Sequence, residues 1–223
     1  MCYVCDEERR SSRRGFLSVA ASGALAGLAL TSLPAFAAGG ATTTLTADEA
    51  LAKLKAGNDK YVSGPELCAV QLSAQREHVS KSQAPWATIV SCADSRVPPE
   101  LLFGGLGVGE LFVARNAGNM VDTATMGTIE YGSGVLGVPL IIVLGHERCG
   151  AVAAACEVVE KKTKFPASIA PMVNAIVPAA RAVKGKPGDF VDNAVRESAM
   201  RTAKQIATKS PIVADLIKKG KVK

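Results

Sequence analysis

Aromatic residues are scarce, at 4% of the 223 positions, with one tryptophan and three tyrosines. A sandwich whose core is built from aromatic layers is therefore excluded. Abundant Ala and Gly point instead to close helix–sheet packing. No basic stripe interleaves with aromatics, so nucleic-acid binding has no support. Beyond residue 37 there is no internal repeat and no low-complexity linker, which leaves one domain as the simplest organisation of that part. Histidine is almost absent: His78 and His146 are the two. A chain with so few imidazoles that places one beside a cysteine draws attention to that place.

What is present begins with a segment that does not read as fold. Arg13 and Arg14 precede Phe16 and Leu17, then a mildly apolar run reaches Leu33, and Ala35-Phe36-Ala37 offers a small-x-small cleavage site. Residues 1–37 read as a signal peptide of the twin-arginine (Tat) type. The run is only just long enough to span a membrane and is weakly hydrophobic; an uncleaved anchor is the alternative reading, and no stable membrane insertion is expected after cleavage. The expected mature chain, 38–223, is exported to the periplasm or beyond. Cleavage removes four arginines and three acids, leaving 22 basic against 17 acidic residues, a mild +5. Four cysteines remain: Cys68, Cys92, Cys149 and Cys156. An even count in an exported protein raises the possibility of disulfides, but no C-x-x-C motif stays in the mature chain.

Along the mature chain, Thr46 and Glu49 form a capping-box pattern that predicts a helix over 46–64. A second helix is expected near 72–82. Short apolar runs then alternate with helical segments. Strands are predicted at 86–90, 110–115 and 139–145, and helices at 125–137 and 149–162. Beyond 167 the chain reads as all helix, near 168–184, 188–208 and 211–219. Continuous apolar strands alternating with helices predict an α/β fold of three layers, α/β/α, with a mainly parallel sheet of about four strands.

Two strand ends carry reactive groups, where open parallel sheets place their sites. The first ends in "SCADSR", with Cys92, Asp94 and Arg96; the other ends in "GHERCG", with His146 and Cys149. The spacing of three puts His146 and Cys149 on one face of a turn entering a helix. Two thiolates and one imidazole suit tetrahedral zinc and leave a fourth position open. A Cys92–Cys149 disulfide is the competing use, and it leaves Asp94, Arg96 and His146 without a role. Cys156 reads as a packed core thiol, and His78 as a surface residue.

"CADSR", "RNAGN" (115–119), "IEYG" (129–132) and "LGHERCGAV" (144–152) together resemble the β-class carbonic anhydrases. The resemblance spans about 46–220, and its two zinc motifs stand 53 residues apart, between Cys92 and His146. It implies a parallel sheet with an N-terminal helical arm and a homodimer or a tetramer of dimers. It implies one zinc ion per chain on Cys92, His146 and Cys149, and reversible hydration of CO2 to bicarbonate by zinc-bound hydroxide. Asp94 matches the carboxylate that orients this hydroxide or takes the fourth zinc position itself in a closed form. Arg96 matches its salt-bridge partner. Gln83 matches a glutamine that hydrogen-bonds substrate, and Phe112 and Tyr131 match aromatics around the pocket, some lent across the dimer interface. Two thiolates cancel the charge of the ion, so activity is expected to rise toward alkaline pH. Rival readings are a CS2 or COS hydrolase on the same scaffold, a non-catalytic zinc or bicarbonate binder, and a thiol redox protein. Relatives continue past "KKGKVK" into a further strand, so a strand is expected to be missing at the C-terminus.

Overall fold

A computed structural model describes residues 42–64 and 72–223, without the side chains of 72–74. The expected signal peptide and Cys68 lie outside the described residues. Among those described, no helix is long and apolar enough to cross a membrane.

The chain opens with helix α1 (Ala47–Ser63), set by the predicted capping box: Thr46 Oγ1 accepts from the Glu49 N–H, and Glu49 accepts from the Thr46 N–H. Helix α2 (Leu72–His78) follows. Strand β1 (Ala87–Cys92) is buried at every position, as its continuous apolar run requires of a central strand. A single turn, α3 (Pro99–Leu102), comes next. It is absent from the pattern reading because Pro98-Pro99 signals a turn, yet Pro99 sits at the first helical position where its missing N–H costs nothing.

Strand β2 (Leu111–Asn116) leads into α4 (Thr123–Gly134), whose Asp122 cap accepts from the Thr125 N–H. That cap starts the helix two residues before the expected 125. Strand β3 (Ile141–Leu144) then enters α5 (Gly150–Lys161). Three helices complete the chain: α6 (Ile169–Val183), α7 (Phe190–Lys209) and α8 (Pro211–Lys218). Asp189 caps α7 and Ser210 caps α8.

The sheet is parallel throughout, in the order β2-β1-β3. Among the described residues it has three strands rather than about four. At the outer edge of β3, the Lys223 N–H donates to Pro139 C=O and the Ile141 N–H donates to Lys223 C=O. These two bonds have the form of a ladder rung, but one residue does not make a strand. The side chains of β1 alternate between two cores, giving the expected layers. Ala87 and Ile89 pack with Leu140 and with Ala50 and Leu54 of α1. Val90 packs on the other face with Ile129 of α4, Ile206 of α7 and Val213 of α8. The chain reverses its direction of travel around β1. This order opens a crevice beyond the carboxyl ends of adjoining strands.

Candidate metal centre

Cys92 is the last residue of β1, and its position there follows from register. Ser91 pairs with Leu144 on β3 and Cys92 with Asn116 on β2. The chain leaving β3 after Leu144 passes His146 and returns as α5, with Cys149 at its N-cap. The turn between them needs Arg148 in the left-handed region, at φ 54°. Parallel pairing of β1 with β3 thus brings two distant motifs together.

The ligand atoms of Cys92, His146 and Cys149 all lie within 4.8 Å of one another. The two sulfurs are 3.9 Å apart. Two Zn–S bonds of about 2.3 Å at a tetrahedral angle require roughly 3.8 Å, so the separation fits a shared ion. It is far longer than a disulfide bond of about 2.05 Å. His146 Nδ1 faces the Glu147 carbonyl at 3.0 Å, which favours a proton on that nitrogen and leaves Nε2 as the ligand. Nε2 is buried and has no hydrogen-bond partner. A buried acceptor without a partner is costly, and a cation satisfies it. Burial pushes the Cys149 thiol up, while the N–H groups of Val152 and Ala151 at the head of α5 pull the other way. A bound cation makes such a thiol a thiolate outright. The residues fit zinc.

Asp94 stands beside this cluster. Arg96 Nε donates to Oδ1 at 2.9 Å and Nη2 to Oδ2 at 2.7 Å. The Arg96 side chain and its N–H hold the Asp94 carboxyl well below the usual carboxylate range. Arg96 Nη2 also donates to the Arg148 carbonyl at 3.3 Å, joining the two ligand loops. Asp94 Oδ2 lies 3.9 Å from His146 Nε2, within reach of the metal position.

Three other expected site residues lie elsewhere in this chain. Phe112 pairs with Thr88, four residues before Cys92 and so roughly 13 Å back along the strand. Tyr131 on α4 packs on it, ring centroids 6.2 Å apart, and is 40% exposed. Gln83 lies before β1 begins, at the opposite end of the sheet from Cys92. Cys156 is a core thiol as read, 3% exposed, its pKa pushed up to about 11 by burial and by Glu160 and Asp189.

The structure adds residues to which motif reading had given no role. Gly118 N–H points at Cys92 Sγ at 3.4 Å. Arg115 donates to the carbonyls of Cys92 and Asp94, at 2.8 and 2.6 Å. Both belong to "RNAGN", whose resemblance was the one available signal.

Comparison with known proteins agrees with this geometry. The carbonic anhydrase family model matches residues 87–223. Carbonic anhydrase 2 of Mycobacterium tuberculosis is 42% identical over 125 residues, 56% of this chain and 60% of that protein. The chain thus spans less than two thirds of that relative's length. The carbonic anhydrase of Mycolicibacterium smegmatis is 34% identical over 167 residues, 75% of this chain and 81% of the relative. Among solved structures, the Coccomyxa β-carbonic anhydrase in complex with acetazolamide is 31% identical, with a TM-score of 0.59 over 77% of each chain. With two ligand motifs joined on a parallel sheet and relatives of this kind, the chain belongs to the carbonic anhydrase family, in its β class.

Proposed function

We propose that this protein catalyses the reversible hydration of carbon dioxide to bicarbonate and a proton. The observation that carries the reading is the buried Cys92–His146–Cys149 cluster with an ionised, doubly bonded Asp94 at its side. These three residues would hold one zinc ion per chain, which supplies Lewis acidity and a nucleophile from water at near-neutral pH. Asp94 carries no proton while Arg96 holds it, so it can only accept a hydrogen bond. It therefore orients the attacking water's O–H, aiming a lone pair at the carbon of CO2. Released from Arg96, the same carboxylate would take the fourth ligand position and close the site.

Gln83, Phe112 and Tyr131 are assigned to substrate binding in a neighbouring copy of the chain. Their distance from this chain's own cluster supports that assignment. So does the exposure of Tyr131 and of Val135, at 40% and 38%. The working unit is accordingly a homodimer or a tetramer of dimers. Residues 1–37 act as a Tat-type signal peptide, and residues 38–223 form the exported enzyme. Tat export carries folded chains, which protects the zinc ligands from oxidation on arrival.

Stopped-flow measurement on the zinc-loaded protein tests the activity. CO2 hydration well above the uncatalysed rate is expected, together with zinc near one per chain. Turnover of CS2 without CO2 hydration would replace this reading with the sulfur-substrate hydrolase. Bound zinc with neither turnover would leave a binding protein.

A further inference from the structure

We propose that Arg115 is a positioning residue that fixes Asp94 through its backbone, as Arg96 fixes it through its carboxylate. The inference rests on the reading of the site as a carbon dioxide hydratase. Cys92 is the last strand residue of β1, and the chain beyond it leaves the ladder. Three contacts from β2 and its following turn hold that departure. The Ala93 N–H donates to Asn116 C=O at 2.9 Å. The Gly118 N–H points at Cys92 Sγ. Arg115, opposite Ser91 in register, supplies the third. Its Nε donates to Cys92 C=O and its Nη2 to Asp94 C=O.

A planar guanidinium bridging two carbonyls two residues apart fixes both their separation and their orientation. Both donations go to main-chain oxygen rather than to a carboxylate. Among the described residues, the remaining hydrogen bond to the Asp94 carbonyl is the turn bond from the Val97 N–H, at 3.2 Å. Val97 travels with the same loop and cannot anchor it to the sheet. With Arg115 gone, the Asp94 backbone gains freedom to swing the carboxylate, whose Oδ2 lies 3.9 Å from His146 Nε2, onto the fourth position beside the three ligands. The site then closes while its three ligands stay in place. Lysine cannot substitute, because one ammonium makes no fixed two-point bridge.

The test compares full-length wild type, Arg115→Ala and Arg115→Lys, each loaded with zinc and, separately, with cobalt. Arg115→Ala is expected to lower kcat by about 10- to 100-fold, with KM for CO2 within about two-fold and zinc still near one per chain. Arg115→Lys is expected to recover little of the loss. In the cobalt proteins, added thiocyanate changes the visible spectrum when the fourth position is open. The response should weaken in Arg115→Ala and return in the double variant Arg115→Ala/Asp94→Ala. An unaltered thiocyanate response in Arg115→Ala would overturn the proposal, as would a loss of kcat that merely follows loss of metal. Failure of the wild type to hydrate CO2 would sink the functional reading instead, and the cobalt comparison would still report on Arg115.

Discussion

Arg96 grips both carboxylate oxygens of Asp94, at 2.9 and 2.7 Å, and so holds Oδ2 3.9 Å short of His146 Nε2. The pair is a latch on the metal position. Its worth lies in geometry rather than in stability, because it sits in contact with solvent, where ion pairs contribute little.

Arg96→Lys keeps the charge and loses the fork. CO2 hydration should fall by about 10-fold or more, with zinc content near one per chain. Metal analysis alongside stopped-flow rates decides this. Parallel loss of zinc would mean that the bond from Arg96 to the Arg148 carbonyl, which ties the ligand loops, is the larger effect.

Removing a ligand should act on the metal first. Partners of ligands are themselves worth about 10- to 100-fold in metal affinity, and a ligand is worth more. Cys149→Ser and Cys92→Ser should each reduce zinc, measured after dialysis, to background. Chelation of the wild type should lower its Tm, since it leaves two buried sulfurs and the buried His146 Nε2 without a cation.

Gly118 has φ 80°, and a Cβ there would meet Ile176 Cδ1 at 2.4 Å and Ala151 Cβ at 3.1 Å. Gly118→Ala should therefore cost about 2 kcal/mol or more, by strain and displaced packing together. Because its N–H points at Cys92 Sγ, zinc affinity should fall as well. Denaturant titration with and without zinc separates the two effects.

Arg148 pays for a left-handed backbone, φ 54°, that the ligand turn demands. Arg148→Gly relieves it and should leave stability equal or raised by up to about 1 kcal/mol, with activity kept. Arg148→Val, β-branched at positive φ, should lose about 1–3 kcal/mol and some zinc. Thermal melts should place Arg148→Gly at or above the wild type and Arg148→Val below it.

Glu110 accepts from Lys53 Nζ at 2.7 Å, the Gly107 N–H at 2.8 Å and Trp86 Nε1 at 3.4 Å, lashing α1 to the foot of the sheet. Burial raises its pKa, but the bonds from Lys53 and Gly107 outweigh this and hold it below its ordinary value. A depressed folded pKa means stability that is present above the unfolded value and lost as pH falls through the folded one. Glu110→Gln should thus cost about 1 kcal/mol at pH 7, and the deficit should shrink as pH falls through and below the ordinary glutamate range. Denaturant midpoints at several pH values measure it.

The sequence alone determined the alternation of strands and helices, the two ligand motifs and the residues within them. Each is a local property: apolar runs fix β1 and β3, a capping box fixes the start of α1, and the three-residue spacing joins His146 to Cys149. Only the tertiary structure decided that Cys92 meets that pair. It does so because β1 pairs in parallel with β3, with Ser91 beside Leu144. Tertiary structure also decided that Arg115 and Gly118 bear on Cys92, since those contacts cross from one strand end to the next and leave no period in the chain. The same register sets Phe112, Tyr131 and Gln83 apart from the cluster, although motif resemblance grouped them with it. Spacing along a chain reports which face a residue occupies, while distance across a sheet is fixed by which strands pair and in what register.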